Sequence, residues 1–179
     1  MLIFLQRDIL SKIKNKQYLI ISILETPILA FILSFFTKYI AGSQQNSNLY
    51  IFSENENLVA YLFMSVVVAL FIGMSISAEE ILKDRKILQR ESFLNLSRFS
   101  YINSKLMIML LISAIQTILY IIVGNYILEI KGMTAIYWII LFSVAFFANI
   151  FGLLVSSTFN DVVTIYIVIP FLLVPQLLF

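Results

Sequence analysis

The chain has 179 residues, of which 61% are hydrophobic and only 12% charged, with a formal net charge of +2. An average soluble domain is about half apolar and a quarter charged, so this composition cannot coat a water-soluble surface. Cysteine and histidine are both absent, which excludes disulfides, thiolate metal sites and thiol nucleophiles, and removes the commonest metal ligand and general base.

Residues 1–16 place Leu2, Leu5, Ile9 and Ile13 at helical spacing on one face, with Arg7, Lys12, Lys14 and Lys16 as cationic heads. That pattern predicts a helix lying in the membrane interface, its lysine stems reaching towards phosphates. The order is apolar, basic, then a long apolar run, so no cleaved signal is expected. Leu2 follows the initiator and there is no cysteine, so no myristoyl or prenyl site is expected either.

Five spans are predicted, at 18–39, 58–78, 106–128, 135–159 and 162–179. Roughly 20 residues cross a hydrocarbon core of about 30 Å. The first four reach that length, and the last carries Pro170 and Pro175. Between them lie a polar loop at 40–57, a charged loop at 79–105, a turn at Glu129, Lys131 and Gly132, and a turn at Asn160 and Asp161. The expected fold is an all-α polytopic bundle, a single transmembrane domain over 1–179. The chain ends on PFLLVPQLLF with no charged flank, which predicts a piece of a longer protein.

With the N-terminus inside the cell, Arg7, Lys12, Lys14, Lys16, Lys83, Arg85, Lys86, Arg90, Arg98 and Lys105 all fall inside. Only Lys38 and Lys131 fall outside. Short loops rich in lysine and arginine stay cytoplasmic, so this asymmetry predicts a cytoplasmic N-terminus in a cell membrane.

Ser65, Ala69, Gly73 and Ser77 are each four residues apart, giving span two one continuous small face. Span four repeats the pattern with Ala148, Gly152 and Ser156. Such faces predict close helix–helix packing in lipid; a face that slides or forms a dimer seam is the functional alternative. Glu25 and Pro27 interrupt span one. A carboxylate there faces a cavity or partner, or else sits near enough to the interface to pair with a basic residue. Gln116 and Asn149 are mid-span amides, expected to make interhelical hydrogen bonds.

In 79–105, Glu79, Glu80, Asp84 and Glu91 interleave with Lys83, Arg85, Lys86, Arg90, Arg98 and Lys105. Mixed charge of this kind suits docking to a protein surface, and equally a solvated connector. Glu79 and Glu80 are adjacent and point to different helix faces, so they make no acid/base pair. There is no phosphate loop, no HExxH and no GxSxG. No catalytic, cofactor or metal site is therefore expected, and any energy source lies on another domain or protein.

Two stretches carry a family resemblance. RDILSKIKNKQYLIISILETPILAFIL (7–33) resembles the elbow helix and first span of type-2 ABC transporter permeases of the ABCG-like exporter kind. SAEEILKDRKILQRESFLNLSRFSYINSKL (77–106) resembles their first intracellular loop, matching at Glu80, Arg85, Arg90, Glu91, Tyr101 and Lys105. The run 152–179 resembles their passage from span four to span five. Members have six spans, so the resemblance implies that the last span and a re-entrant segment are missing here, with the ATPase half also absent.

The resemblance implies an elbow helix at 1–16 and a coupling helix at 79–92, with Glu80, Arg85, Arg90 and Glu91 coupling to the ATPase. It implies a nucleotide-binding domain as partner, fused or separate, holding ATP and Mg. It implies a second permease copy, with spans two and five lining a central path. No cofactor is implied for this chain, and nothing points to nucleic acid. A non-transporting scaffold docking a cytoplasmic partner through 79–105 is the alternative. A membrane enzyme is a third reading, disfavoured because no carboxylates cluster at one membrane depth.

Overall fold

The computed structural model describes residues 2–40, 57–91, 98–130 and 132–178. Among these residues every regular element is helical: α1 (Leu2–Lys14), α2 (Lys16–Phe35), a π-helical turn (Phe36–Ile40), α3 (Leu58–Ser77), α4 (Glu80–Glu91), α5 (Arg98–Leu128), α6 (Thr134–Thr158) and α7 (Val162–Leu178). Ile, Val and Phe are mediocre helix formers in water. In hydrocarbon the backbone must satisfy its own polar groups, and that constraint overrides propensity.

Four helices are long and apolar enough to cross a membrane: Lys16–Lys38, Leu58–Arg85, Phe99–Leu128 and Thr134–Thr158. Val162–Pro175 is a shorter apolar helix. The outward faces carry Ile20, Leu24, Phe31, Ile115, Ile122, Ile139 and Leu154, all exposed, while Ser22, Thr26, Ser65, Ser113, Gln116 and Asn149 are buried. Apolar outside and polar inside is the arrangement expected when lipid is the solvent. The chain is a multi-pass membrane protein.

Helix boundaries follow local chemistry. The Asn15 side chain accepts from the Tyr18 amide at 3.2 Å, capping α2 and separating it from α1. Pro27 removes one helical hydrogen bond, yet α2 runs through it unbroken. α5 begins at Arg98, ahead of the expected start at 106, so part of the segment read as a charged loop continues the third long helix. At its far end the Ile130 amide reaches the Asn125 carbonyl at 3.1 Å, with Glu129 at φ 58°. This is the Schellman arrangement, with a glutamate in the left-handed position usually given to glycine.

The tightest helix pair is α3 with α6. A Cβ on Gly73 would lie 2.7 Å from the Ala145 carbonyl oxygen and 2.8 Å from the Ala148 Cβ. A Cβ on Gly152 would lie 2.8 Å from the Met74 carbonyl oxygen and overlap the Ser77 hydroxyl. The two backbones approach because neither carries a side chain there, which maximises dispersion contact where no hydrophobic effect operates between helices. α2 packs on α5, α5 on α6, and α7 on α3.

The bundle has two distinguishable ends. At one, Lys38 donates to the Ile127 carbonyl at 2.8 Å and to Glu129 at 2.9 Å, placing a cation on the C-terminus of α5. At the other meet the α1–α2 junction, α4, the start of α5 and the α6–α7 turn.

Candidate functional site: an ion-pair cluster at one end of the bundle

α5 carries Lys105 near its start, and the side chain is almost fully buried, with 4% exposed. Its ammonium lies 2.6 Å from Asp8 on α1, 2.8 Å from Asp84 and 3.1 Å from Glu80, both on α4. Lys12 of α1 pairs with the other oxygen of Glu80. The Tyr101 hydroxyl donates to Asp84 at 3.0 Å. Lys12 also donates to the Tyr18 hydroxyl at 3.3 Å and sits over its ring. Three carboxylates thus share two ammonium groups, and three helices are tied at one point.

The elements explain the convergence. Asp8 and Lys12 are one helical turn apart on α1, as are Glu80 and Asp84 on α4. Leu5 and Ile9 pack α1 against Ile72, Ile76, Ile108 and Met109, which turns Asp8 inward. Leu10 and Ile13 are exposed, so the part of the apolar face that packs on the bundle ends at Ile9. Taking charges out of water costs several kcal/mol each, and only mutual pairing offsets it.

The opposite face of α4 is fastened elsewhere. The Ser156 hydroxyl of α6 accepts from the Ile81 amide at 3.0 Å and the Leu82 amide at 3.1 Å. Arg85 donates to the Asn160 side chain and, at 3.3 Å, to the Ser157 carbonyl. Glu79 pairs with Lys83 and accepts from the Tyr166 hydroxyl of α7. Glu79 and Glu80 therefore serve different neighbours.

Among the residues singled out from sequence, Glu80 and Arg85 both hold α4 to the bundle. The side chains of Arg90 and Glu91 lie outside the described residues. Ser65, Ala69, Gly73 and Ser77 are buried on α3, and Ala148, Gly152 and Ser156 on α6. The structure brings Gly73 to Ala148 and Ser77 to Gly152. Ser65 instead accepts from Tyr120 of α5 at 2.9 Å, and Ser156 turns to α4.

Gln116 donates to the Ser22 carbonyl of α2 at 2.7 Å, and Asn149 to the Ser113 hydroxyl of α5 at 2.6 Å. Glu25 is partly exposed on α2. Asp8, Lys12, Asp84 and Asn160 were not singled out as site residues. The one-turn repeat of like charge in Glu80 and Asp84 was the available signal. Like charges there repel unless a cation lies between them. Among the described residues no group of histidine, cysteine or carboxylate side chains is placed to hold a metal ion.

The family model described as ABC-2 type transporter matches residues 1–179. The chain belongs to the ABC-2 type transporter family. No curated protein and no solved structure matches it. Membership makes this chain a transmembrane permease component of an ABC transporter and implies an ABC ATPase component as its partner. In this ABC-2 permease the ion-pair cluster joins a short amphipathic helix, α4, to α1 and to α5, which is long and apolar enough to span the membrane.

Proposed function

We propose that this chain forms part of the translocation path of an ATP-driven exporter and receives the motion of its ATPase through residues 79–92. The observation that carries this reading is the double fastening of α4. Lys105 holds Glu80 and Asp84, while Ser156 and Asn160 hold the helix start and Arg85. A helix that only connected two spans would not need both anchors. In this reading α4 is the coupling helix, α1 is the elbow helix on the inner leaflet, and the N-terminus is cytoplasmic. ATP and Mg are held by the partner ATPase, fused or separate. A second copy of the permease completes the path, and alternating access follows from rigid-body shifts of the halves.

The test uses the full-length transporter with its ATPase in proteoliposomes. Reversing charge together at Arg85, Arg90 and Glu91 is expected to leave insertion and ATP hydrolysis in place and to abolish transport coupled to it. Normal transport by that triple variant would sink the coupling role. If no ATPase associates with the chain at all, the alternative is a non-transporting scaffold that docks a cytoplasmic partner through 79–105.

A further inference from the structure

α4 starts without a cap of its own. Only Ala78 and Glu79 separate it from α3, and glutamate is not among the residues favoured as a helix N-cap. The first amides of a helix have no intrahelical acceptor, and leaving them unmet in a buried place is costly. Here the acceptor comes from another helix: the fully buried Ser156 hydroxyl takes both the Ile81 and Leu82 amides. Beside it, Arg85 grips Asn160 and the Ser157 carbonyl, and Tyr166 reaches Glu79. Leu82 packs into the apolar cluster of Val155, Ile165 and Ile169.

From this we infer that α4 and the α6–α7 turn move as one body, and that Ser156 is the positioning residue joining them. The inference rests on α4 being the element that receives ATPase motion. It names the route by which that motion enters the bundle: into α6 and α7, across space, and not only into α3 and α5, which flank α4 in sequence. The close approach of α3 to α6 at Gly73 and Gly152 carries α3 along.

The experiment places pairs of spin labels in the full-length transporter with its ATPase. This chain has no cysteine of its own, and Lys83 on α4, Thr158 on α6 and Ile32 on α2 are all exposed. Between nucleotide-free and nucleotide-trapped states, the 83–158 distance is expected to stay constant while the 83–32 distance, measured to the end of α2 away from the ion-pair cluster, changes. Equal changes in both would overturn the inference and leave the α4 reading standing. No change in either would remove the α4 reading and the inference with it. In S156A the 83–158 distribution is expected to broaden, and amide exchange at Ile81 and Leu82 to quicken about fivefold, the size of a lost N-cap. S156T, which keeps the hydroxyl, is expected to restore both. Unchanged exchange in S156A would also overturn the inference.

Discussion

Lys105 of α5 and Asp8 of α1 meet at 2.6 Å, both buried, although the whole of α2, α3 and α4 separates them in the chain. Their pairing fixes where the amphipathic α1 sits on the bundle. It also places α1 against α4, because the same ammonium holds Glu80 and Asp84.

Breaking this pairing from one side should be expensive. Lys105→Met leaves buried Asp8 and partly buried Asp84 without their lysine and Glu80 with Lys12 alone, and removing one partner of a buried ion pair costs about 3–5 kcal/mol. Thermal unfolding in detergent is expected to show a large loss for K105M. Adding D8N should recover part of it, because one uncompensated charge is gone. Strictly additive effects of D8N and K105M would mean that the two groups do not interact.

The α3–α6 seam predicts a size limit. Gly73→Ala puts a methyl against the Ala145 carbonyl oxygen and the Ala148 Cβ, so one helix must shift. Overpacking of this kind typically costs about 1–3 kcal/mol. Gly132, at φ 84° with nothing near its Cβ position, provides the contrast. Gly132→Ala should be destabilising through backbone strain alone, by about 1–2 kcal/mol, and should leave α3–α6 cross-linking unchanged. G73A should lower that cross-linking, and equal cross-linking in both variants would show that the seam tolerates the methyl.

Glu129 is a left-handed residue whose side chain is half exposed and paired with Lys38. Glycine there would lose an exposed ion pair worth less than about 1 kcal/mol and relieve strain of about 1–2 kcal/mol. E129G is therefore expected to match or slightly exceed the native chain in thermal unfolding. A clear loss of stability would mean that the Lys38 pairing outweighs the backbone strain.

Sidedness can be read with single introduced cysteines, since this chain has none of its own. Lys14 of α1 and Glu129 at the α5–α6 turn are both exposed and lie at opposite ends of the bundle. A membrane-impermeant maleimide added to intact cells is expected to label E129C and not K14C. The reverse pattern would invert the proposed orientation. Labelling of both would contradict the placement of these residues on opposite sides.

Much of this architecture was legible because lipid imposes simple rules. Apolar runs of about 20 residues must become helices, and the runs ending near Ile40, Ser77, Leu128 and Thr158 did. The four-residue spacing of Ser65, Ala69, Gly73 and Ser77 put them on one face by helical geometry alone. What that face would meet was not legible. Ser65 turned out to serve Tyr120, while Gly73 and Ser77 serve α6. Likewise the positions of Glu80 and Asp84 one turn apart were plain in the sequence, but not the lysine between them.

The sequence by itself determined the class of molecule, the helical runs and the concentration of basic residues in a few segments. Each follows from composition or from periodicity within one segment, and so needs no knowledge of neighbours. Only the tertiary structure decided that Lys105 gathers α1, α4 and α5, and that α4 borrows its cap from Ser156 on α6. Those contacts join residues far apart in the chain. Which buried charge meets which, and whose hydroxyl satisfies whose amide, depends on how the helices pack, and helical periodicity carries no record of that.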